Sequence, residues 1–165
     1  MKRLIAIMLL VTVIIFVGCT TNAQNKGNCD DGITCNAVNL ADNVGPVAVS
    51  QNLEKIEIYH FHATNQCYSC ITMGDLAEKT VNAYYPDLLN SGKMTFGHIN
   101  ADLAENKELV IKYGATGSSL WIGTYLNDEF HKEENVKVWY KINNENDYLS
   151  YLKGVLDKRI SGDLS

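Results

Sequence analysis

Proline is almost missing from this chain. Only Pro46 and Pro86 occur in 165 residues, so no bond or turn beyond residue 86 can rely on one. Positive charge is also short, with 14 Lys and Arg against 19 Asp and Glu. No basic cluster stands out, which argues against nucleic acid and against binding an anionic surface through charge. A single long apolar run exists, Leu4 to Val17, broken only by Thr12. At about 15 residues it is short for a membrane-spanning helix, which needs roughly 20. There is no internal repeat. A second C-x-x-C is absent, and Asp30-Asp31-Gly32 is too short to support a calcium loop.

What is present begins at the N-terminus. Lys2 and Arg3 precede the apolar run, and Phe16-Val17-Gly18-Cys19 ends it with a small residue before a cysteine. The pattern is that of a secretory signal over 1–18. The Val-Gly-Cys ending resembles the lipobox of lipoproteins, which implies that Cys19 becomes the lipidated N-terminus. Phe16 departs from the Leu usual in that family. Cleavage after Ala23 and an uncleaved, tilted anchor are the alternatives. Each of these exports the domain, into a setting where disulfides persist. Removing the two positive charges of Lys2 and Arg3 takes the net charge from −5 to −7.

Residues 19–52 are rich in Asn, Gly, Asp and small side chains and read as a linker or arm. With Cys19 spent on lipid, four cysteines remain, as Cys29 with Cys35 and Cys67 with Cys70. Cys29 and Cys35 form either a local hairpin disulfide or a second redox pair that passes electrons to Cys67–Cys70.

The globular pattern spans 53–161. Lys55 to His62 is β-branched and aromatic and predicts a strand. Ile56 and Ile58 face one way, Tyr59 and Phe61 the other, so both faces are covered. A helix is expected from Cys67 to about Tyr85, with Cys70, Met73, Ala77, Val81 and Tyr84 on one side. Pro86 ends it. Met94 to Asn100 is a second strand. Asp102 with Glu105 reads as a capping box for the next helix, which Gly114 stops. Ser119 to Leu126 is a third strand. A polar turn from Asn127 leads to a fourth strand carried by Val136, Val138 and Tyr140, and a last helix covers Glu145 to Ile160. The order is β-α-β-α-β-β-α. Helical crossovers predict three parallel strands, and the last two strands form an antiparallel hairpin. The class is α/β, a four-stranded mixed sheet with helices on both faces.

"HFHATNQCYSC", His60 to Cys70, places a C-x-x-C after the first strand and at a helix start. In this position the chain resembles thioredoxin-like proteins over about Leu53 to Ile160. "INADLAEN" and "YGATGSSL" echo two further motifs of that superfamily. Within it the chain resembles small exported proteins labelled as ArsF-type nitroreductase subunits. The resemblance implies that the third strand runs antiparallel to the first two. It also implies an extracytoplasmic, membrane-anchored thiol–disulfide oxidoreductase with no cofactor beyond the Cys67–Cys70 disulfide. The helix N-terminus favours a thiolate at Cys67, lowering its pKa and making it the attacking sulfur. Cys70, one turn on, is the resolving cysteine. A purely structural bridge is the competing reading, although a loop this short constrains little unfolded-chain entropy. The implied partners are a membrane thiol electron carrier and a protein or small-molecule disulfide client.

The chain departs from that family in several places. Its cis-proline position falls on Ser119, so Ser118 and Ser119 either line the site or simply enter a strand. A trans bond is expected there, because a non-proline cis bond costs about 2.5–4 kcal/mol. Gln66 replaces a tryptophan, and Tyr68 and Ser69 replace Gly-Pro between the cysteines. His60 lies near the family's buried acid, with His62 on the same face and closer to the cysteines. Each histidine is either part of a proton relay or packed in the sheet. Two other functions compete. One is a Cu(I)- or zinc-binding protein using the thiolates with His60 or His62. The other is a non-catalytic accessory subunit that kept the fold.

Overall fold

The computed structural model describes residues 48–165. The signal segment, Cys19, Cys29 and Cys35 lie outside the described residues. The chain enters through Ser50, whose N–H donates to Ile160 O at 2.9 Å. Four strands follow: β1 Leu53–His62, β2 Met94–Asn100, β3 Ser119–Leu126 and β4 Glu129–Glu134. The helices are α1 Tyr68–Tyr84, α2 Pro86–Asn90, α3 Lys107–Tyr113 and α4 Glu145–Ser161.

The sheet order is β2-β1-β3-β4. β1 and β2 are parallel, and β3 is antiparallel to both β1 and β4. The parallel expectation drawn from crossovers alone therefore fails for β3, and the family-based direction holds. β1 is central, and its alternation splits the core. Ile56 and Ile58 pack with Met73, Ala77 and Val81 of α1 and Leu152 and Leu156 of α4. Phe61 packs on the other face against Tyr113 of α3, with Tyr59 and Trp121 beside it. Helices therefore cover both faces, as a strand apolar on both sides requires.

Three elements differ from the sequence reading. Val136–Tyr140 is a 3-10 turn rather than a strand. Its apolar alternation is not that of a pleated segment, since Val138 is buried while Val136 is 50% and Tyr140 84% exposed. The fourth strand is instead the charged Glu129–Glu134, which pairs on the sheet edge where charges deter further pairing. Asp102 with Glu105 does not form a capping box. Glu105 sits in a 3-10 turn, Ala104–Asn106, and α3 begins with Asn106 at its N-cap position. Pro86 does more than end α1, because it opens the short α2 from the first helical position.

Candidate functional site

Four backbone residues, Ala63 to Gln66, carry the chain from the end of β1 to Cys67. They are pinned to the end of β2. Thr64 N–H donates to Asp102 Oδ2 at 2.8 Å, and Asn100 Nδ2 donates to Thr64 Oγ1 at 3.1 Å. Ala101 N–H donates to His62 O at 2.7 Å. The Thr64 N–H bond also holds the Asp102 carboxyl below its usual range. Asp102, read from the sequence as a helix cap, thus braces the approach to the cysteines.

Cys67 is the N-cap of α1, and its sulfur accepts from Cys70 N–H at 3.3 Å. This cap directs a backbone donor and the positive end of a 17-residue helix at sulfur. Cys67 and Cys70 are paired as a disulfide with Cα atoms 5.2 Å apart. Cys67 is exposed and Cys70 half-buried. Of the two residues between them, Tyr68 is 84% exposed and Ser69 half-buried. Gln66 is half-buried, and its Oε1 has no hydrogen-bond partner among the described residues.

The two β1 histidines are separate in character. His60 is 1% exposed. Burial, then the neighbouring His98 and His62, push its pKa down to about 4. Its ring fits against Gly74 of α1, where a Cβ would overlap Nδ1 and Cε1 and lie 2.9 Å from Cγ. Gly74 is one turn beyond Cys70, so His60 lies under the helix that carries Cys70. His62 is half-buried, and its Nδ1 donates to Ala63 O at 2.9 Å. The histidine that the sequence reading missed is His98, which pairs with His60 across β1 and β2. The signal for it was present: a histidine in each of two adjacent apolar strands, with a glycine on the buried face of the helix above.

Ser119 pairs with Phe61 at the start of β3. Its hydroxyl donates to Gly117 O at 3.0 Å and accepts from Trp121 Nε1 at 3.1 Å. Both capacities serve the strand entry. Ser118 is half-buried. No peptide bond among the described residues is cis.

Among the described residues, no three His, Cys, Asp or Glu side chains are placed to hold one metal ion. No described helix is long and apolar enough to cross a membrane. A cleft of about 730 Å³ lies between Glu133–Lys137 and α4 and includes Tyr151, Val155 and Arg159. It contains no cysteine or histidine, so the disulfide lies outside that cleft.

Sheet order, strand directions and a C-x-x-C at the start of the helix after the central strand give a thioredoxin-like α/β fold that carries a Cys67–Cys70 disulfide. Neither a family model nor a curated protein matches the chain. Solved structures similar to it include the Trx4 domain of ERdj5, at 15% identity and a TM-score of 0.42, covering 66% of this chain and 85% of that one. A thioredoxin from Thermus thermophilus is 16% identical with a TM-score of 0.43, covering 64% and 76%. A Plasmodium falciparum thioredoxin is 20% identical with a TM-score of 0.32, covering 64% and 73%.

Proposed function

We propose that this protein is an extracytoplasmic thiol–disulfide oxidoreductase, anchored to the membrane through lipid on Cys19. The observation that supports it most is the Cys67 sulfur at the N-cap of α1, exposed and accepting Cys70 N–H, with Cys70 less exposed behind it. That geometry favours a thiolate on the sulfur a client can reach.

The reaction balances as follows. Cys67 thiolate attacks one sulfur of a client disulfide, and one client thiolate leaves. Cys70, losing its proton, attacks Cys67 Sγ of the mixed disulfide and expels the second client thiolate. Two electrons pass to the client, and Cys67–Cys70 becomes the disulfide. A membrane thiol carrier returns the two electrons. Run backwards, the same steps oxidise a dithiol. His60 is the proton acceptor for Cys70 in this reading. The exported-lipoprotein branch, and the likeness to proteins labelled as ArsF-type nitroreductase subunits, belong to it as a label for the group. The chemistry assigned is thiol exchange.

The test is a glutathione redox series on the full chain in detergent, with thiol alkylation read by mass spectrometry and metal content measured alongside. The expected result is one reversible two-electron transition at Cys67–Cys70 without metal. Cys70→Ser should accumulate a mixed disulfide on Cys67, and Cys67→Ser should abolish exchange. Stoichiometric metal that protects the thiols would replace this reading with a metal-binding protein. A bridge that neither reduces reversibly nor exchanges would replace it with a non-catalytic subunit.

A further inference from the structure

The sheet has two outer strands, and they are built differently. β4 is Glu129–Glu134, charged residues around Phe130 and His131. β2, Met94–Asn100, contains no Asp, Glu, Lys, Arg or Pro. Charge and proline keep an open edge from pairing, so β2 lacks the protection that β4 has. The backbone bonds set the phase of β2. Ile56 N–H donates to Lys93 O at 2.8 Å, and Ala101 N–H donates to His62 O at 2.7 Å. In a parallel pair with Ile56 opposite Met94, the residues bonded to β1 are then Lys93, Thr95, Gly97, Ile99 and Ala101. Met94, Phe96, His98 and Asn100 direct N–H and C=O away from the sheet. Met94 is buried, and Asn100 O accepts from Asn106 Nδ2 at 2.9 Å. The backbone N–H and C=O of Phe96 and His98 have no partner among the described residues.

Gly97 sits between these two residues. A glycine inside a strand weakens it and often marks a place where another backbone comes close. Gly97 is not among the residues with positive φ. A Cβ there would lie 3.4 Å from the Tyr59 ring and 3.5 Å from Ile99 Cδ1, ordinary contact distances. Neither its backbone conformation nor the packing around it requires glycine. The flanks of the strand carry opposite charge. Lys93 is exposed just before it, and Asp102 is exposed just after it.

We propose that the β2 edge pairs antiparallel with the β2 edge of a second copy of this chain, about a two-fold axis at Gly97. Phe96 of each copy then faces the partner's His98, and each such pair exchanges both backbone hydrogen bonds. Gly97 meets the partner's Gly97 on the axis, where the absent side chains let the backbones close up. The antiparallel direction sets Lys93 beside the partner's Asp102, and the two-fold repeats that contact. A parallel copy would put Lys93 beside the partner's Lys93 and Asp102 beside the partner's Asp102. Opposite charge at the two ends of one strand therefore selects an antiparallel copy. The interface is self-complementary, as a two-fold dimer requires. It joins the two sheets into one and closes the uncharged edge of each. β1 runs parallel to β2, and the cysteines follow the end of β1. The two disulfides therefore lie at opposite ends of the joined sheet, clear of the seam and out of reach of each other.

The experiment uses the full chain in a density-matched detergent. Sedimentation equilibrium over a range of protein concentrations gives the mass, and residue-resolved amide hydrogen exchange is followed at the same concentrations. The expected result is a monomer–dimer equilibrium in which the Phe96 and His98 amides are protected in the dimer and lose protection on dilution. The Thr95, Gly97 and Ile99 amides, bonded to β1, stay protected throughout and serve as the internal standard. Gly97→Lys places like charges opposite each other on the axis. Lys93→Glu places like charges beside each other at both ends of the seam. Each should raise the dimer dissociation constant by about tenfold or more. Lys93 lies in an exposed turn outside the strand, so its variant keeps the test intact if Gly97→Lys does not fold. A monomer whose Phe96 and His98 amides exchange freely overturns the proposal. So does a monomer in which they stay protected, because a strand of the same chain then fills the edge. A dimer that ignores both substitutions associates elsewhere and overturns it as well.

Discussion

Gly74 and His60 show how one missing side chain sets a site. Glycine inside a helix ordinarily costs about 1 kcal/mol relative to alanine. Here the cost offsets an overlap, because any Cβ at position 74 would run into the His60 ring. Gly74→Ala should therefore destabilise the protein by about 1–3 kcal/mol, the range for overpacking a dense core. Urea unfolding checks this, and a gain in stability would show that the ring has room to move. The double variant Gly74→Ala with His60→Ala should recover part of the loss, since the two sites are in contact and not additive. At this scale the sequence was informative about sulfur and less so about nitrogen. The C-x-x-C spacing after a strand was enough to put Cys67 at a helix start. His98 went unseen because its importance is a matter of register: only the pairing of β1 with β2 sets it beside His60. Asp102 misled for a related reason. An acid three residues before Glu105 looks like a local cap, yet its carboxylate is taken by Thr64, 38 residues earlier in the chain.

Among the elements, the β3–β4 hairpin was the hardest to read. Its six charged or aromatic residues, Glu129 to Glu134, carry none of the β-branched alternation that marks a buried strand. What builds it is the turn. Asn127 and Asp128 have φ of 56° and 63°, the left-handed pair of a two-residue hairpin loop, and this brings Glu129 opposite Leu126. The strand starts at once, and the apolar residues from Val136 onward arrive too late to join it. The left-handed conformation costs a residue with a Cβ roughly 1–2 kcal/mol, so glycine is better there. Asp128→Gly should raise the urea midpoint modestly. Asp128→Val should lower it, since a branched Cβ resists positive φ. The bond from Asp128 N–H to Glu54 Oε1 is made by backbone and survives either change. If both substitutions moved the midpoint the same way, the turn would not be what holds this register. By contrast α1, α4 and β1 were legible because their apolar periodicity is long enough to override local ambiguity.

For the whole molecule, acid stability separates two buried groups by the sign of their shifts. His60 is held neutral, with its pKa down at about 4 against an ordinary 6.5. As pH falls through 6.5, the unfolded chain takes a proton that the native site refuses until about 4, so stability drops across that window. The loss integrates to about 3 kcal/mol. Glu57 follows at lower pH. Burial alone would raise its carboxyl, but hydrogen bonds from Lys55, Lys112, Tyr113 and Tyr125 outweigh burial and bring it to about 2. Its contribution is complete above the ordinary 4.5 and disappears as pH falls toward 2. Acid unfolding should therefore proceed through two windows, the upper set on the α1 face by His60 and the lower on the α3 face by Glu57. Urea midpoints collected from about neutral pH down to about 3 for the wild type, His60→Leu and Glu57→Gln would resolve them. His60→Leu should flatten the upper window and leave the lower. Glu57→Gln should lower stability throughout and flatten only the lower window. Parallel curves for the wild type and His60→Leu would show that His60 takes up its proton as readily in the native state as in the unfolded chain, and that the upper window has another source.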